Sequence, residues 1–205
     1  MKTLEAPTLH SVGRRLIDAS TSIRDQPPDR LDFLHTVMCQ VGMPRKATGS
    51  RLFERQNGPF SILLEAGRLW NGQSWQPQPL PYGTTPRLVM VHLSSEAIRT
   101  QNRRVELGES MRAFLQILGI QTNGGPRGGY TSLKRQMEAL AACRLSIGMS
   151  AQGRVVTVDA KPIRRFEAWI QNDGPQRSLW PGMLELSTEF FETLSEHAVP
   201  LDYRA

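Results

Sequence analysis

Apolar residues recur at helical spacing along six stretches of the chain, which predicts six helices that each bury one face. These helices are expected over residues 8–24, 29–42, 86–100, 109–118, 132–143 and 188–198. The segment Asp25-Gln-Pro-Pro28 separates the first two, because proline cannot occupy a helix interior. Thr85 and Thr131 are suited to cap the helices that follow them, and Gly119 and Pro200 to end the helices that precede them.

Shorter stretches of apolar or alternating residues predict strands. They are expected over residues 60–66, 105–107, 145–149, 156–158 and 166–170. Residues 71–86 hold four prolines and two glycines and form the expected linker. We therefore expect an N-terminal region of helices plus a strand over residues 1–80, and a main domain over residues 81–205.

The order of these elements is typical of one small DNA-binding fold. From residue 86 the chain gives a helix, a short strand, a helix, a loop, a helix and then two strands joined by a glycine-containing turn. That is the order of a winged helix, in which a helix-turn-helix is followed by a β-hairpin wing. The fold class is therefore expected to be α+β, a winged helix preceded by a small N-terminal region, with helix 132–143 as the recognition helix.

The excess of positive charge lies in the middle of the chain. The sequence has 25 Lys+Arg against 19 Asp+Glu, a net charge of +6, and 21 of the basic residues are arginine. Residues 81–177 carry a net charge of +7, residues 1–80 carry +3 and residues 178–205 carry −4. High-GC codon usage would raise the arginine count, but it would not concentrate the excess in one segment. Nucleic acid is therefore the expected partner class.

The predicted DNA-binding residues lie at the entrance of helix 132–143, on its exposed side and on the wing. They are Arg127, Tyr130, Thr131, Ser132, Lys134, Arg135, Arg154, Lys161, Arg164 and Arg165. Gln136 and Ala139 are expected on the same exposed side. The first turns of a recognition helix point into the major groove, and their free N–H groups also favour phosphate. Any one of these residues could instead belong to a solvated charged face.

Catalytic and metal-binding patterns are absent from the sequence. The loop Asn123-Gly-Gly-Pro-Arg-Gly-Gly129 has the glycine spacing of a phosphate-binding loop, but Tyr130 stands where that loop needs lysine. The four histidines are scattered, and Cys39 and Cys143 are too far apart in sequence for a zinc knuckle. We therefore expect no catalytic residue, no metal and no cofactor, and a protein that is not an enzyme. The two cysteines and the lack of a long apolar run predict a cytoplasmic protein without a membrane partner.

With these segments in view, the sequence resembles plasmid replication initiators of the RepA type. The likeness begins with Phe60 to Gly67 and Pro81-Tyr-Gly-Thr-Thr-Pro-Arg-Leu88, and it includes the Arg-Gln-Met core of Leu133 to Leu140. Near the end it includes Phe190-Phe191 and His197-Ala-Val-Pro-Leu-Asp202. No single segment is a catalytic signature, and the order of the segments carries the resemblance.

The resemblance implies a winged-helix protein that binds directly repeated sites (iterons) at a plasmid origin of double-stranded DNA. It also implies recruitment of host replication proteins such as a helicase or initiator, and a homodimer in exchange with a monomer, the dimer repressing its own gene. Members of this family usually continue past the Val-Pro-Leu-Asp segment into a second winged-helix region. We expect that region to be absent from this chain, which ends at Ala205.

Two other binding functions would produce the same charge pattern. A winged-helix transcriptional regulator would bind a single palindromic operator rather than tandem repeats. A protein-interaction module would use the basic face for a protein partner and would bind DNA weakly, without sequence dependence. A nuclease is a third alternative, and it would need a metal site that the sequence does not offer.

Overall fold

The computed structural model describes residues 17–18, 20–21, 23, 25–26, 28–123, 125, 128–151, 153–166 and 182–203. They form two compact units, one from residues 1–32 and 200–205 and the other from residues 33–199. In the first unit, the described residues between 17 and 25 are helical, in agreement with the first predicted helix. The boundary expected near residue 80 lies inside the second unit, where strands from both sides of it pair with each other.

Helices and strands alternate irregularly along the chain, as expected for an α+β protein. The helices are α1 Thr36–Gln40, α2 Thr84–Thr100, α3 Met111–Ile117, α4 Gly129–Ala142 and α5 Thr188–His197. The first strands are β1 Leu31–His35, β2 Leu52–Asn57, β3 Phe60–Glu65, β4 Arg68–Trp70, β5 Trp75–Pro77 and β6 Arg104–Glu106. The later strands are β7 Arg144–Ala151, β8 Arg154–Ala160, β9 Ile163–Phe166, β10 Met183–Leu186 and β11 Ala198–Asp202.

The described strands form four sheets. The largest has the order β2-β3-β7-β8, and the second has the order β6-β10-β9. Both are antiparallel throughout. The other two are the pairs β4-β5 and β1-β11. The predicted strands around residues 60–66, 105–107, 145–149 and 156–158 are therefore confirmed. Of the strand expected over 166–170 only Phe166 is described, as the last residue of β9, and residues 167–170 lie outside the described part of the chain.

The core of the second unit lies where α2, α3 and α4 pack together. Helices α2 and α3 both contact α4, and the strands β4 and β9 contact it as well. Leu93 of α2, Phe114 of α3, and Leu133 and Leu140 of α4 are almost completely buried there. The helical spacing that predicted these three helices reflects the burial of one face of each, so this part of the sequence prediction is confirmed.

The helix expected over residues 29–42 is wrong in its first half. Leu31–His35 form β1, and only Thr36–Gln40 are helical. The strand forms because it pairs with β11, which lies far along the chain and leaves no trace in the local pattern. His35 then starts α1, since its ring Nδ1 accepts a hydrogen bond from the backbone N–H of Val37 at 3.2 Å.

Three expected helix ends also differ. The cap of α2 is Gly83 and the cap of α4 is Gly128, each without a side-chain hydrogen bond. Thr85 and Thr131 therefore lie inside their helices instead of capping them. Pro200 lies within β11, and α5 ends at His197 without its help. By contrast, Gly119 ends α3 with a φ of 65°, as the sequence predicts.

Gly67 allows the backbone before β4 to touch the end of α4. A Cβ atom at Gly67 would overlap the carbonyl oxygen of Ala142, the last residue of α4. The obstacle is a main-chain atom, which cannot turn aside as a flexible side chain would.

We expect Gly67→Ala to lower the free energy of unfolding by about 2 kcal/mol, because overpacking against fixed backbone forces a local shift. Gly182→Ala is the matched control, since a Cβ atom there meets nothing within 4 Å. Urea denaturation of both variants gives the comparison. Equal stability of Gly67→Ala and the wild type would contradict the close approach.

His35 is a fully buried titratable group between α1 and α5. Its Nδ1 accepts the hydrogen bond from Val37, so the neutral ring carries its proton on Nε2, 3.3 Å from the hydroxyl of Thr193. The rings of Phe190 and His197 lie 6.4 and 5.7 Å away. Burial, with a smaller contribution from the charge of His197, lowers the pKa of His35 from 6.5 to about 4.

This depressed pKa predicts that the protein loses stability in mild acid. Between pH 6.5 and pH 4 the unfolded chain binds a proton at His35 that the folded chain does not bind. We expect the free energy of unfolding to fall by about 2 kcal/mol between about pH 7 and pH 4.5 through this group. His35→Asn keeps an acceptor for Val37 and removes the titration, so urea denaturation across this range should show a flatter dependence. An unchanged dependence would mean that another group is responsible.

Candidate nucleic-acid interface

Helix α4 presents two exposed cations on the side opposite its buried stripe, together with the half-buried Glu138, whose carboxyl interacts with Lys134. Thr131, Lys134 and Arg135 are exposed, and Tyr130 and Ser132 are half-buried. The burial of Leu133 and the other core positions fixes the rotation of the helix, so these side chains cannot turn inward. Five of the predicted DNA-binding residues therefore lie on one helix. Arg127 lies outside the described residues.

The start of α4 is held by backbone and side-chain contacts from the glycine-rich loop. The side-chain oxygen of Asn123 accepts from the N–H of Gly129 at 2.8 Å, and Thr131 donates to the carbonyl of Gly125 at 2.8 Å. A Cβ atom at Gly129 would overlap the carbonyl oxygen of Gln121. This glycine therefore serves close packing at the beginning of α4.

Arg135 is oriented by the segment that leads into α2. Its guanidinium lies 5.1 Å from the centre of the Tyr82 ring, a cation–π arrangement. The backbone N–H of Tyr82 donates to the side-chain oxygen of Gln136 at 2.9 Å. Gln136 and Ala139 were expected on the exposed side but are buried, and Gln136 is the acceptor that fixes Tyr82. Tyr82 therefore positions Arg135, and the sequence did not predict this contact because the two residues are far apart along the chain.

A second contact joins α2 to the same helix. The hydroxyl groups of Thr85 and Ser132 lie 3.2 Å apart, within hydrogen-bond distance. Ser132 is therefore engaged with the protein itself, and among the predicted residues it is less available to a ligand than its neighbours. Lys134 and Arg135 are the two exposed cations of the α4 face.

The hairpin β7–β8 carries Arg154 but does not belong to the sheet of β6. Its strand β7 pairs with β3, in register from Phe60 opposite Met149 to Glu65 opposite Arg144. Arg144 forms an exposed ion pair with Asp159 across the hairpin. The hydrogen bonds from Arg144 lower the pKa of the Asp159 carboxyl. Arg154 and Lys161, at the two ends of β8, are both exposed.

Arg164 and Arg165 lie on β9, which packs against α4 and pairs with β10. Glu185 of β10 is buried and lies within ion-pair distance of three arginines. Its carboxylate oxygens lie 3.6 Å from Arg103, 3.9 Å from Arg104 and 3.9 Å from Arg164. The single carboxylate of Glu185 therefore partly neutralises three cations. Arg164, a predicted DNA-binding residue, is one of them, so a ligand would compete with Glu185 for its guanidinium.

Among the described residues, no group of His, Cys, Asp and Glu side chains is arranged to hold a metal ion. Both cysteines are free thiols; Cys39 is exposed and Cys143 is buried. Burial raises the pKa of Cys143 to about 12, which leaves it protonated near neutral pH. In the part of the chain that the structure describes, no helix combines the length and the apolar character that crossing a bilayer requires.

The comparison with known proteins covers the part of the chain that holds this face. No curated protein and no solved structure matches the chain. The sequence model of one family, described as plasmid encoded RepA protein, matches residues 80–205. The matched region contains α2, α3, α4 and the sheet of β6, β10 and β9. Because the match covers more than half of the chain, the protein belongs to the family of plasmid-encoded RepA proteins.

Proposed function

We propose that this protein is a plasmid replication initiator that binds directly repeated origin DNA (iterons) through a winged helix with α4 as the recognition helix. The observation that carries the proposal is the face of α4, where Lys134 and Arg135 are exposed on a helix that packs against β9, the strand of Arg164 and Arg165. A helix that presents cations from its first turns on a rigid core is suited to the major groove. Because the chain belongs to the RepA family, DNA is the ligand that we expect on this face.

The sheet order supports a winged helix with a wing different from the one the sequence suggested. A wing shares its sheet with the strand between the first two helices, and that strand is β6. Since β6 pairs with β10 and β10 with β9, the antiparallel strands β9 and β10 correspond to the wing in this interpretation. Arg164 and Arg165 then lie on its first strand, and Arg154 belongs to the separate hairpin β7–β8.

The proposal also includes host replication proteins and a second copy of this chain as partners, with the dimer acting as a repressor of its own gene. Helix α5 exposes Glu189, Glu192 and Glu196, which would repel DNA. A face of this charge suits a protein partner such as a helicase, a host initiator or another subunit. Binding of DNA on α4 and of protein on α5 would separate the two tasks in space.

The arrangement of the binding sites tests the proposal directly. We expect footprinting on DNA that flanks the chain's own gene to reveal several protected sites in the same orientation, one after another. A single palindromic site would instead identify a transcriptional regulator. Protection without any sequence preference would favour a protein-interaction module with a basic face.

The two groups of arginines should contribute differently to DNA recognition. Arg135→Ala is expected to cost about 1–3 kcal/mol on the cognate repeat and less on random DNA, because an arginine of a recognition helix reads guanine edges. Arg164→Ala with Arg165→Ala should weaken both DNAs alike. This pair of substitutions should also reduce the slope of log K against log salt by about one unit for each phosphate that the protein no longer binds.

Titrations of both DNAs from about 50 to 200 mM salt measure these effects. Arg68→Ala is the control, because Arg68 is an exposed arginine of the separate pair β4-β5. If Arg135→Ala weakens both DNAs equally, α4 holds only the DNA backbone and does not read its sequence.

A further inference from the structure

A cavity of about 570 Å³ opens beside the end of α1, next to β2 and the first turn of α2. Three of the residues that line it are arginines: Arg45 from the loop after α1, Arg55 from β2 and Arg87 from α2. None of the described residues that line it is an aspartate or a glutamate. All the lining residues belong to the second unit, so the cavity is a property of one compact body.

Two of the arginines are held in place by the loop that follows α1. Arg55 donates to the carbonyl of Val41 at 3.3 Å, and Arg87 donates to the carbonyl of Met43 at 2.7 Å. The same loop is tied to the start of α2, because the N–H of Gly83 donates to the carbonyl of Pro44 at 2.9 Å. The guanidinium groups of Arg55 and Arg87 are therefore restrained before any ligand arrives, which reduces the entropy lost on binding.

Arg55 and Arg87 have N–H donors beyond those that bind backbone carbonyls of the loop. Each guanidinium carries five N–H donors, and each of these two side chains donates one hydrogen bond to the loop. The Nε of Arg87 is buried and has no acceptor among the described residues. Arg45 is exposed at the rim of the cavity. A ligand with several acceptor oxygens and negative charge would satisfy these donors and offset the mutual repulsion of the three cations.

The remaining lining residues narrow the ligand class. They are small, polar or aliphatic, and none of those described is aromatic, so the cavity offers no ring on which a nucleobase would stack. Arginine forks match the geometry of phosphate oxygens. We propose that the cavity among Arg45, Arg55 and Arg87 is a phosphate-binding site, with the phosphate supplied by a DNA backbone or by a free phosphorylated ligand.

The first turn of α2 connects this cavity to the α4 face. Arg87 extends into the cavity wall, and Thr85, two residues earlier, contacts Ser132 of α4. A duplex bound on α4 would thus have a second cationic site on α2, the helix whose first turn contacts α4. The DNA source rests on the proposed function, whereas the free-ligand source does not, and the two are measured separately.

The test uses the double variant Arg45→Gln with Arg55→Gln, which removes two of the charges and keeps side chains that can donate hydrogen bonds. Arg87 is left unchanged because it is half-buried and its hydrogen bond to the loop, 2.7 Å to the carbonyl of Met43, is shorter than the 3.3 Å bond of the exposed Arg55. The control is Arg68→Gln, an exposed arginine of β4 that does not line the cavity. Thermal unfolding without ligand verifies that all three proteins are folded to the same extent.

In the first arm, sodium pyrophosphate is titrated into each protein at constant ionic strength and the melting temperature is recorded. We expect pyrophosphate to raise the melting temperature of the wild type and the control. Its affinity should fall about tenfold or more in the double variant, which loses two charge-assisted interactions. In the second arm, the slope of log K against log salt is measured on duplex DNA, where we expect a decrease of about two units in the double variant alone.

An effect of the double variant in both arms, or on DNA alone, identifies the DNA backbone as the source. An effect on pyrophosphate alone supports the site and assigns it to a free phosphorylated ligand. If the wild type binds no DNA, the proposed function fails. The pyrophosphate titration alone then tests whether the cavity binds phosphate. Equal behaviour of the double variant and the control in both arms overturns the proposal.

Discussion

Helix α4 is fixed between two backbone contacts that leave no room for a side chain. At its start, Gly129 lies against the carbonyl of Gln121, and at its end the carbonyl of Ala142 lies against Gly67. Between these points Leu133 and Leu140 are buried against α2 and α3. Because both position and rotation of α4 are set in this way, the direction of every side chain on its outer face is determined by packing. The functional face therefore depends on apolar and glycine contacts more than on the charged residues that it displays.

Charge is distributed over the fold so that different surfaces suit different partners. The basic residues of α4 are exposed, whereas several arginines around β6 and β9 share the carboxylate of Glu185. Helix α5 presents glutamates to solvent. The net charge of +6 is thus the sum of the charges of surfaces that differ in sign. It does not give the charge of any one surface.

Local sequence patterns predicted the elements whose burial is periodic and missed those that depend on distant partners. The helices α2, α3, α4 and α5 were foreseen because one face of each is buried at regular spacing. Strand β1 was mistaken for a helix because its partner β11 lies far away in sequence. The exposure of Lys134 and Arg135 was foreseen from their place on α4, but the buried role of Gln136 follows from the backbone of Tyr82. The three arginines of the cavity come from a loop, a strand and a helix, so no sequence spacing unites them.

The contacts of α1 with α5 have a consequence for how the chain acquires its structure. His35 lies 3.3 Å from Thr193, and Thr36 donates to the carbonyl of His197 at 2.7 Å, over sequence separations of 158 and 161 residues. Closing so long a loop is entropically unfavourable, and these contacts can form only after α5 has left the ribosome. During synthesis α2, α3 and α4 can therefore assemble first, while the segment containing His35 is still without its partners. Completion of the fold by this segment is a late event, and the nascent chain carries a basic α4 face before α1 and α5 have met.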